Sequence, residues 1–435
     1  MTSSVAVLPA SRARLRSTIH PCWTIVWLWV LSIGQYGYRY ILQVNDPRTT
    51  HDYGFTPPAL SAIKYAIFIS FGLYGLLHFR NQPAIGANYR LLCYISASAL
   101  VVLTGIALIR LATYPGDLDE TSLCALQLIP WMASVFLVPL VFGPRHNLRD
   151  TLMIFERVTY WIAFAFWLTT VALVVFGIRY PALSYPGVLV RFGGILDDPN
   201  GYACLCLLLL VIAAAVKSGA WRTRVLVYGL MVAGTLSFSG YAIGLVMSAC
   251  WLWSRLAKPS AGGLGSKLAK GFLVIAILTC AIATVVLVYE SYDTLLETID
   301  SLSSAKATST NTHISDLLPD EAMVDAGSPV AFLFGIGIYS EDVYWRVLAD
   351  FGWLGFFSVV SAIVAWSGYA LWKVKTWRYS AGSWIIGVLI GSNGIPYLTT
   401  FPLNLLFWSL LALLVWGHET QRGSRGIQQL GFERG

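Results

Sequence analysis

Residues 190–203 of this chain place charged and polar side chains directly before a long apolar run. They include Arg191, Asp197, Asp198 and Asn200. An arginine guanidinium can bind phosphate oxygens through two parallel N–H donors, and carboxylates carry out general acid and base chemistry. These residue types, so close together, predict a binding site for an anionic, phosphate-bearing ligand.

Arg191 carries the strongest functional indication in this segment. Arg179 precedes it by twelve residues and would supply a second cation, and Gly194 permits close approach of a backbone. The alternative for Arg191 is a side chain that extends along apolar surface towards lipid headgroups. The alternative for the polar residues is a helix start capped by Asp198 or Asn200, and we favour Asn200 as the cap.

A second polar group begins at Glu341 and Asp342 and continues through Tyr344 to Arg346. Desolvation near a membrane surface raises the pKa of a carboxyl group, which suits a general base. Tyr344 is a candidate for stacking on a sugar ring. The alternative is an acidic first turn of a helix, stabilised by the helix dipole and by Arg346 one turn later.

Metal-binding patterns do not stand out in the chain. The six histidines form no HxxxH or HExxH cluster, and the acidic pair Asp197-Asp198 does not by itself make a metal site. We therefore expect no metal and no other cofactor, and phosphate recognition falls to arginine.

The amino-acid composition indicates whether the chain lies in water or in a lipid bilayer. Hydrophobic residues make up 57% of the 435 positions and charged residues only 12%, and the mean hydropathy is +0.66. A soluble domain carries about 25% charged residues. Apolar runs of about 20 residues span a bilayer, and only helices satisfy their backbone groups there within one segment. We predict an all-α, polytopic membrane protein.

The apolar runs predict about twelve transmembrane helices, near 22–42, 59–79, 91–113, 121–142, 155–178, 200–216, 223–238, 241–256, 270–290, 350–372, 383–398 and 401–417. The chain then divides into an N-terminal segment 1–21, helices one to five in 22–178, a loop 179–199, helices six to nine in 200–290, a large loop 291–349, helices ten to twelve in 350–417 and a tail 418–435.

Charge separates the two sides of this topology. With loops assigned to alternate sides, one side receives 21 of the 29 basic residues and only four of the 22 acidic residues. The positive-inside rule places that side, with both termini, in the cytoplasm. Because topology accounts for the net charge of +7, we exclude nucleic acid as a partner. The two long loops, 179–199 and 291–349, then lie outside.

The order of these features resembles a known family. Arg191, Gly194, Asp198-Pro199-Asn200 and Ala203 resemble the Arg…Gly…Asn-Pro-Asn…Ala signature of the superfamily of O-antigen ligases and Wzy-type polysaccharide polymerases. Gly335-Ile-Gly337 resembles the Gly-x-Gly that ends the large periplasmic loop of that family. The stretch that follows resembles its His-Asn…Tyr-Leu…Leu…Glu…Gly…Gly pattern, through Glu341, Asp342, Tyr344, Leu348, Asp350, Gly352 and Gly355.

The sequence departs from the family pattern at two positions. Glu341 stands where ligases have histidine, and Ser239-Gly240 stands where the family has Ser-Arg. Arg346, Arg179 or Arg110 would have to supply the second arginine. Both departures favour a polymerase over a ligase.

The resemblance implies a GT-C-like fold in a bacterial inner membrane, with its active face in the periplasm. It implies an enzyme that polymerises undecaprenyl-pyrophosphate-linked oligosaccharides for exopolysaccharide, capsule or O-antigen, together with a flippase and a chain-length regulator as partners. Its catalytic candidates are Arg191, Glu341 and Asp342. The substrate-binding candidates are Arg179, Gly194, Asp197, Asp198, Asn200, Ser239, Tyr344 and Arg346.

Three other functions stay open. A scaffold without catalysis is favoured only if the two departures mean an inactive site. An O-antigen ligase would transfer glycan to lipid A–core. A transporter or flippase of lipid-linked sugars would place charges near the middle of the bilayer.

Overall fold

We describe the fold from a computed structural model. It describes residues 65–70, 72–74, 77, 86–113, 131, 134–136, 138–139, 148–177, 182–184, 190–196, 198–217, 219–256, 329–335, 343–373, 381–392, 397–398 and 403–432.

Most of the described residues are helical. The helices are α1 (Ala87–Thr113), α2 (Leu148–Val175), α3 (Pro199–Val216), α4 (Trp221–Thr235), α5 (Phe238–Leu256), α6 (Pro329–Phe334), α7 (Val343–Lys373), α8 (Ala381–Gly391) and α9 (Leu403–Phe432). Between α2 and α3 lie two short strands, β1 (Ala182–Ser184) and β2 (Val190–Phe192), and a 3₁₀ turn (Gly194–Leu196).

Four of the described helices are long and apolar enough to cross a membrane. These segments are Ala87–Arg110, Arg149–Val175, Pro199–Val216 and Arg346–Lys373. Their length and composition are compatible with a lipid bilayer. The predicted spans 22–42 and 270–290 lie outside the described residues, and only parts of 59–79 and 121–142 are described.

Four element bounds differ from the sequence prediction by seven residues or more. Helix α2 begins at Leu148 and not at 155. Helix α7 begins at Val343 and not at 350, so it takes in the end of the segment predicted as loop 291–349. Helix α8 ends at Gly391, seven residues before the predicted end. Helix α9 continues to Phe432, through much of the predicted tail. Polar residues continue a helix beyond an apolar run, so hydropathy marks the span and not the helix end.

Helix α3 lies at the centre of the described fold. Of its span, 78% is buried inside the protein, compared with 22% for the most apolar part of α2. The α3 sequence is apolar on nearly every side, which is typical of a helix surrounded by others. It packs against α2, α4, α5 and α8, and the Trp384 indole of α8 donates a hydrogen bond to the Cys204 carbonyl (3.2 Å).

The described helix ends form two sets on opposite sides of the fold, because successive helices run in alternating directions. In one set, Arg149 at the start of α2 donates to the carbonyl of Val216, the last residue of α3 (3.0 Å). Close by, Arg224 at the start of α4 forms an ion pair with buried Glu156 of α2 (2.7 Å). The opposite set contains the start of α3, the end of α4 and the start of α5. An alternating membrane topology requires this arrangement.

Gly335, just after α6, and Gly352, inside α7, let the backbones of the two helices pack closely. Both have positive φ, +78° at Gly335 and +62° at Gly352, where α7 is kinked. A Cβ at Gly352 would lie 2.5 Å from the Phe334 nitrogen, and a Cβ at Gly335 would lie 2.5 Å from the Ala349 carbonyl oxygen. The two backbones therefore approach each other more closely than any residue with a side chain allows.

Candidate functional site

A short antiparallel hairpin positions Arg191. Strand β2 pairs with β1 so that Arg191 lies opposite Leu183. Gly194 follows with φ +56°, and a Cβ there would lie 2.5 Å from the Tyr202 ring. Only glycine fits this turn, which brings the strand back against the start of α3. The sequence predicted this loop but not its hairpin.

Asp198 is the N-cap of α3. Its two carboxylate oxygens accept hydrogen bonds from the backbone amides of Asn200 (3.0 Å) and Gly201 (2.8 Å). Pro199 occupies the first helical position, where no amide hydrogen is needed. The preference for Asn200 as the cap was therefore wrong, because the aspartate two residues earlier already holds the free amides. The Asn200 side chain is left for another contact.

The Arg191 side chain joins the start of α3 to the end of α4. Its Nε donates to the carbonyl of Thr235 (3.1 Å), and its Nη2 donates to Oδ1 of Asn200 (3.1 Å). Thr235 is the last residue of α4, where carbonyl oxygens lack helical partners and a cation is favoured by the dipole. The guanidinium is thereby held in one orientation at a partly exposed position.

Hydroxyl groups complete this cluster. Ser237 donates to Asn200 Oδ1 (2.7 Å), and Ser239 approaches the same oxygen at 3.4 Å. The hydroxyl of Tyr397, in the segment between α8 and α9, donates to Ser239 Oγ (3.0 Å). We call Arg191, Asn200, Ser237, Ser239 and Tyr397 the Arg191 cluster. The sequence named three of these residues and missed Ser237 and Tyr397.

The turn between α4 and α5 lies three residues earlier than predicted. Leu236 adopts a left-handed conformation (φ +47°), and the Ser237 hydroxyl accepts a hydrogen bond from the Gly240 amide (3.0 Å). Ser239 and Gly240 therefore belong to the first turn of α5 and not to the connection. A Cβ at Gly240 would lie 2.5 Å from the Cβ of Ala203 on α3. The arginine of the family pattern does not fit there, because α3 and α5 are in direct contact.

The second polar group lies at the start of α7. Arg346 forms an ion pair with Asp350 one turn later (Nε to Oδ2, 3.7 Å), and both side chains are buried. Arg110, near the end of α1, donates to the backbone carbonyl of Asp350 (2.7 Å). The kink at Gly352 interrupts the helix here, which explains why this carbonyl takes a side-chain donor. The Tyr344 hydroxyl donates to the Leu389 carbonyl (3.0 Å).

The two polar groups lie at the same set of helix ends. The amide of Val343 donates to the carbonyl of Ser392, just after α8 (3.1 Å). Five residues further along the chain, Tyr397 belongs to the Arg191 cluster, and its hydroxyl also reaches the Asn200 carbonyl (3.4 Å). The end of α8 therefore links the start of α7 to the start of α3.

Burial raises the pKa of Asp198 above its usual value. The backbone amides of Gly201 and Asn200 and the positive charge of Arg191 act in the opposite direction. A carboxylate with two backbone donors and a neighbouring guanidinium has a structural task. It stabilises the helix start on which Asn200 stands.

Four predicted site residues lie outside the described residues: Arg179, Asp197, Glu341 and Asp342. Within the described part of the chain, no group of three or more His, Cys, Asp or Glu residues is placed to hold a metal ion. The described geometry can hold an anion next to a fixed guanidinium at a helix-end surface. No family model, no curated protein and no solved structure matches this chain.

Proposed function

We propose that this protein is a membrane glycosyltransferase that polymerises oligosaccharide units carried on undecaprenyl pyrophosphate. The observation that carries the proposal is Arg191 fixed between Thr235 and Asn200, where the start of α3 meets the end of α4. A lipid-linked donor presents its pyrophosphate at the membrane surface. A guanidinium held at a helix end is suited to bind that group there.

The proposed reaction is a single displacement. The hydroxyl of a fresh lipid-linked unit attacks the anomeric carbon of the growing glycan, and the bond from that carbon to the pyrophosphate oxygen breaks. Undecaprenyl pyrophosphate leaves with the electron pair, and Arg191 stabilises its charge. A preorganised cation contributes most where charge develops during the reaction.

A carboxylate accepts the proton of the attacking hydroxyl. Glu341 is the proposed base, and Asp342 is the alternative. Asp198 is less suited, because both of its oxygens already accept hydrogen bonds from the backbone. Glu341 and Asp342 directly precede Val343, the first residue of α7, and the Val343 amide bonds the end of α8 beside the Arg191 cluster. This placement supports a base on the same side as Arg191.

The same proposal includes the membrane topology, the cellular location and the partner proteins. It comprises about twelve spans, a large outer loop that ends before α7, an inner-membrane location, cytoplasmic termini and a periplasmic active face. The two sets of helix ends support it, because Arg149, Arg157, Arg222 and Arg224 belong to the set opposite Arg191. A flippase and a chain-length regulator are the proposed partners.

The test is replacement of Arg191 in the native host. A strain that lacks the gene receives the wild-type chain, Arg191→Ala or Arg191→Lys, and two products are measured: lipid-linked single units by mass spectrometry and polymer length by electrophoresis. We expect Arg191→Ala to lower polymer formation about a hundredfold and to accumulate single units in the outer leaflet. Arg191→Lys should also fail, because one ammonium cannot replace the two bonds of the planar fork.

Arg149→Ala is the matched control. Arg149 also donates to the carbonyl of a terminal helix residue, Val216, but at the opposite set of helix ends. It should lower stability without changing the product pattern. Full-length polymer from correctly inserted Arg191→Ala would refute the proposal. Single units confined to the inner leaflet would indicate a flippase, and polymer made normally but missing from lipid A–core would indicate a ligase.

A further inference from the structure

The amide group of Asn200 has a fixed orientation. Its Oδ1 accepts hydrogen bonds from Arg191 Nη2 (3.1 Å) and Ser237 Oγ (2.7 Å), and Ser239 Oγ lies 3.4 Å away. A guanidinium nitrogen can only donate, so the Asn200 atom that faces it must be the oxygen. The amide nitrogen therefore points to the other side of the cluster.

The amide nitrogen is the part of Asn200 that the cluster does not use. Among the residues that the structure describes, Nδ2 of Asn200 takes part in no hydrogen bond, and the residue is only partly buried. An Asn amide carries two N–H donors, and leaving both without protein partners is unfavourable unless water or a ligand accepts from them. Both donors belong to the side chain whose oxygen accepts a hydrogen bond from Arg191.

We propose that Asn200 is a second ligand-binding donor, which binds the same pyrophosphate group as Arg191 through Nδ2. Ser237 is then a positioning residue. Its hydroxyl is fixed by the Gly240 amide (3.0 Å) and holds the Asn200 oxygen away from the ligand. This inference rests on the proposed function, because it assigns the anion at that site.

The decisive variant is Asn200→Asp. It keeps an oxygen for Arg191, Ser237 and Ser239, so the internal contacts of the cluster persist. It replaces the donating NH₂ group by an oxygen that repels phosphate. Ser237→Ala removes the group that orients the amide. Ser248→Ala is the matched control, because this exposed serine of α5 lies outside the cluster and its hydroxyl donates to the Gly244 carbonyl (2.8 Å).

The experiment measures affinity for undecaprenyl pyrophosphate with the purified full-length chain in phosphatidylcholine nanodiscs. Inorganic pyrophosphate and phosphatidylglycerol serve as separate competitors, so that a pyrophosphate site is distinguished from a general anionic-lipid surface. We expect about a hundredfold loss for Asn200→Asp and about tenfold for Ser237→Ala, because bonds to charged ligands are the stronger ones. Ser248→Ala should bind as the wild type does. Pyrophosphate should compete and phosphatidylglycerol should not.

Each outcome decides the inference. If Arg191→Ala weakens binding and Asn200→Asp does not, Asn200 is not a ligand-binding donor, while the role of Arg191 survives. If neither variant weakens binding, the pyrophosphate lies elsewhere and the proposed function loses its anion site as well. Competition by phosphatidylglycerol alone would also overturn the inference. Should Asn200→Asp fail to reach the membrane, wild-type affinity in Ser237→Ala would refute it.

Discussion

Replacement of Gly352 by alanine is expected to disrupt the joint between α6 and α7. With φ +62° and ψ −170°, Gly352 adopts a conformation that is essentially restricted to glycine, and other residues there incur about 1–3 kcal/mol of strain. The new methyl group would also lie 2.5 Å from the Phe334 nitrogen. Because that neighbour is backbone and cannot rotate away, overpacking adds about 1–3 kcal/mol. The total, about 2–6 kcal/mol, is a large part of ordinary protein stability.

Gly368→Ala provides the control within the same helix. No atom lies within 4 Å of the position that its Cβ would take. Alanine is favoured over glycine in helices by about 1 kcal/mol, so this variant should be neutral or slightly more stable. The assay heats detergent-purified protein and measures the fraction that stays monodisperse on size exclusion. Gly352→Ala should lose monodispersity at a clearly lower temperature than either the wild type or Gly368→Ala.

The same perturbation should reach the proposed site. Tyr344 and Arg346 lie in the part of α7 that precedes the kink, so a shift at Gly352 moves them relative to α8. We expect polymer formation to fall together with stability. If Gly352→Ala and Gly368→Ala lost monodispersity at the same temperature, the backbones of α6 and α7 would not approach each other as described.

Three further predictions concern polar groups at the helix ends. Asp198→Ala should destabilise α3 by about 1 kcal/mol, whereas Asp198→Asn should keep the cap. Burial raises the pKa of Asp198, so the folded state binds its proton more readily and this stability contribution falls as the pH rises above the ordinary pKa of an aspartate, about 4. Asp198→Asn should flatten that part of the pH profile of the melting temperature. Glu156→Ala should lower thermal stability by about 3 kcal/mol because it leaves the mostly buried Arg224 side chain without its carboxylate, and adding Arg224→Ala should recover part of the loss. Arg110→Ala should cost about 1–3 kcal/mol in the same assay, because the buried Asp350 carbonyl loses a donor, and an unchanged melting temperature would contradict the kink at α7.

Hydropathy predicts the apolar helices well but not the polar turns that carry the site. Helices α1 and α3 begin within a few residues of their predicted starts, because an apolar run of that length has one stable conformation in a bilayer. The β1–β2 hairpin escapes prediction, since three-residue strands are too short to show a period. Its effect is large all the same, because it sets the position of Arg191.

The residues of the Arg191 cluster also could be predicted only in part from the sequence. Arg191 is conspicuous in the sequence as a charge beside an apolar helix. Ser237 and Tyr397 are not, because single hydroxyl groups near helix ends are common and lie 37 and 197 residues from Asn200. Only the packing of α3 against α5 and α8 brings them together. The N-cap was misassigned for a related reason, since Asp198 and Asn200 have equal capping propensity.

The packing at Gly240 leaves no space for the arginine of the pattern that the sequence resembles. At Gly240 the contact with Ala203 leaves no space for a side chain. Arg110 and Arg346 lie at the same set of helix ends, on α1 and α7, and both are held by Asp350. If the proposed reaction uses a second cation, Arg110 and Arg346 are the candidates among the described residues, and Arg179 is the alternative outside them. The close packing of α3 and α5 keeps Asn200 beside Arg191 and excludes a charged side chain at position 240.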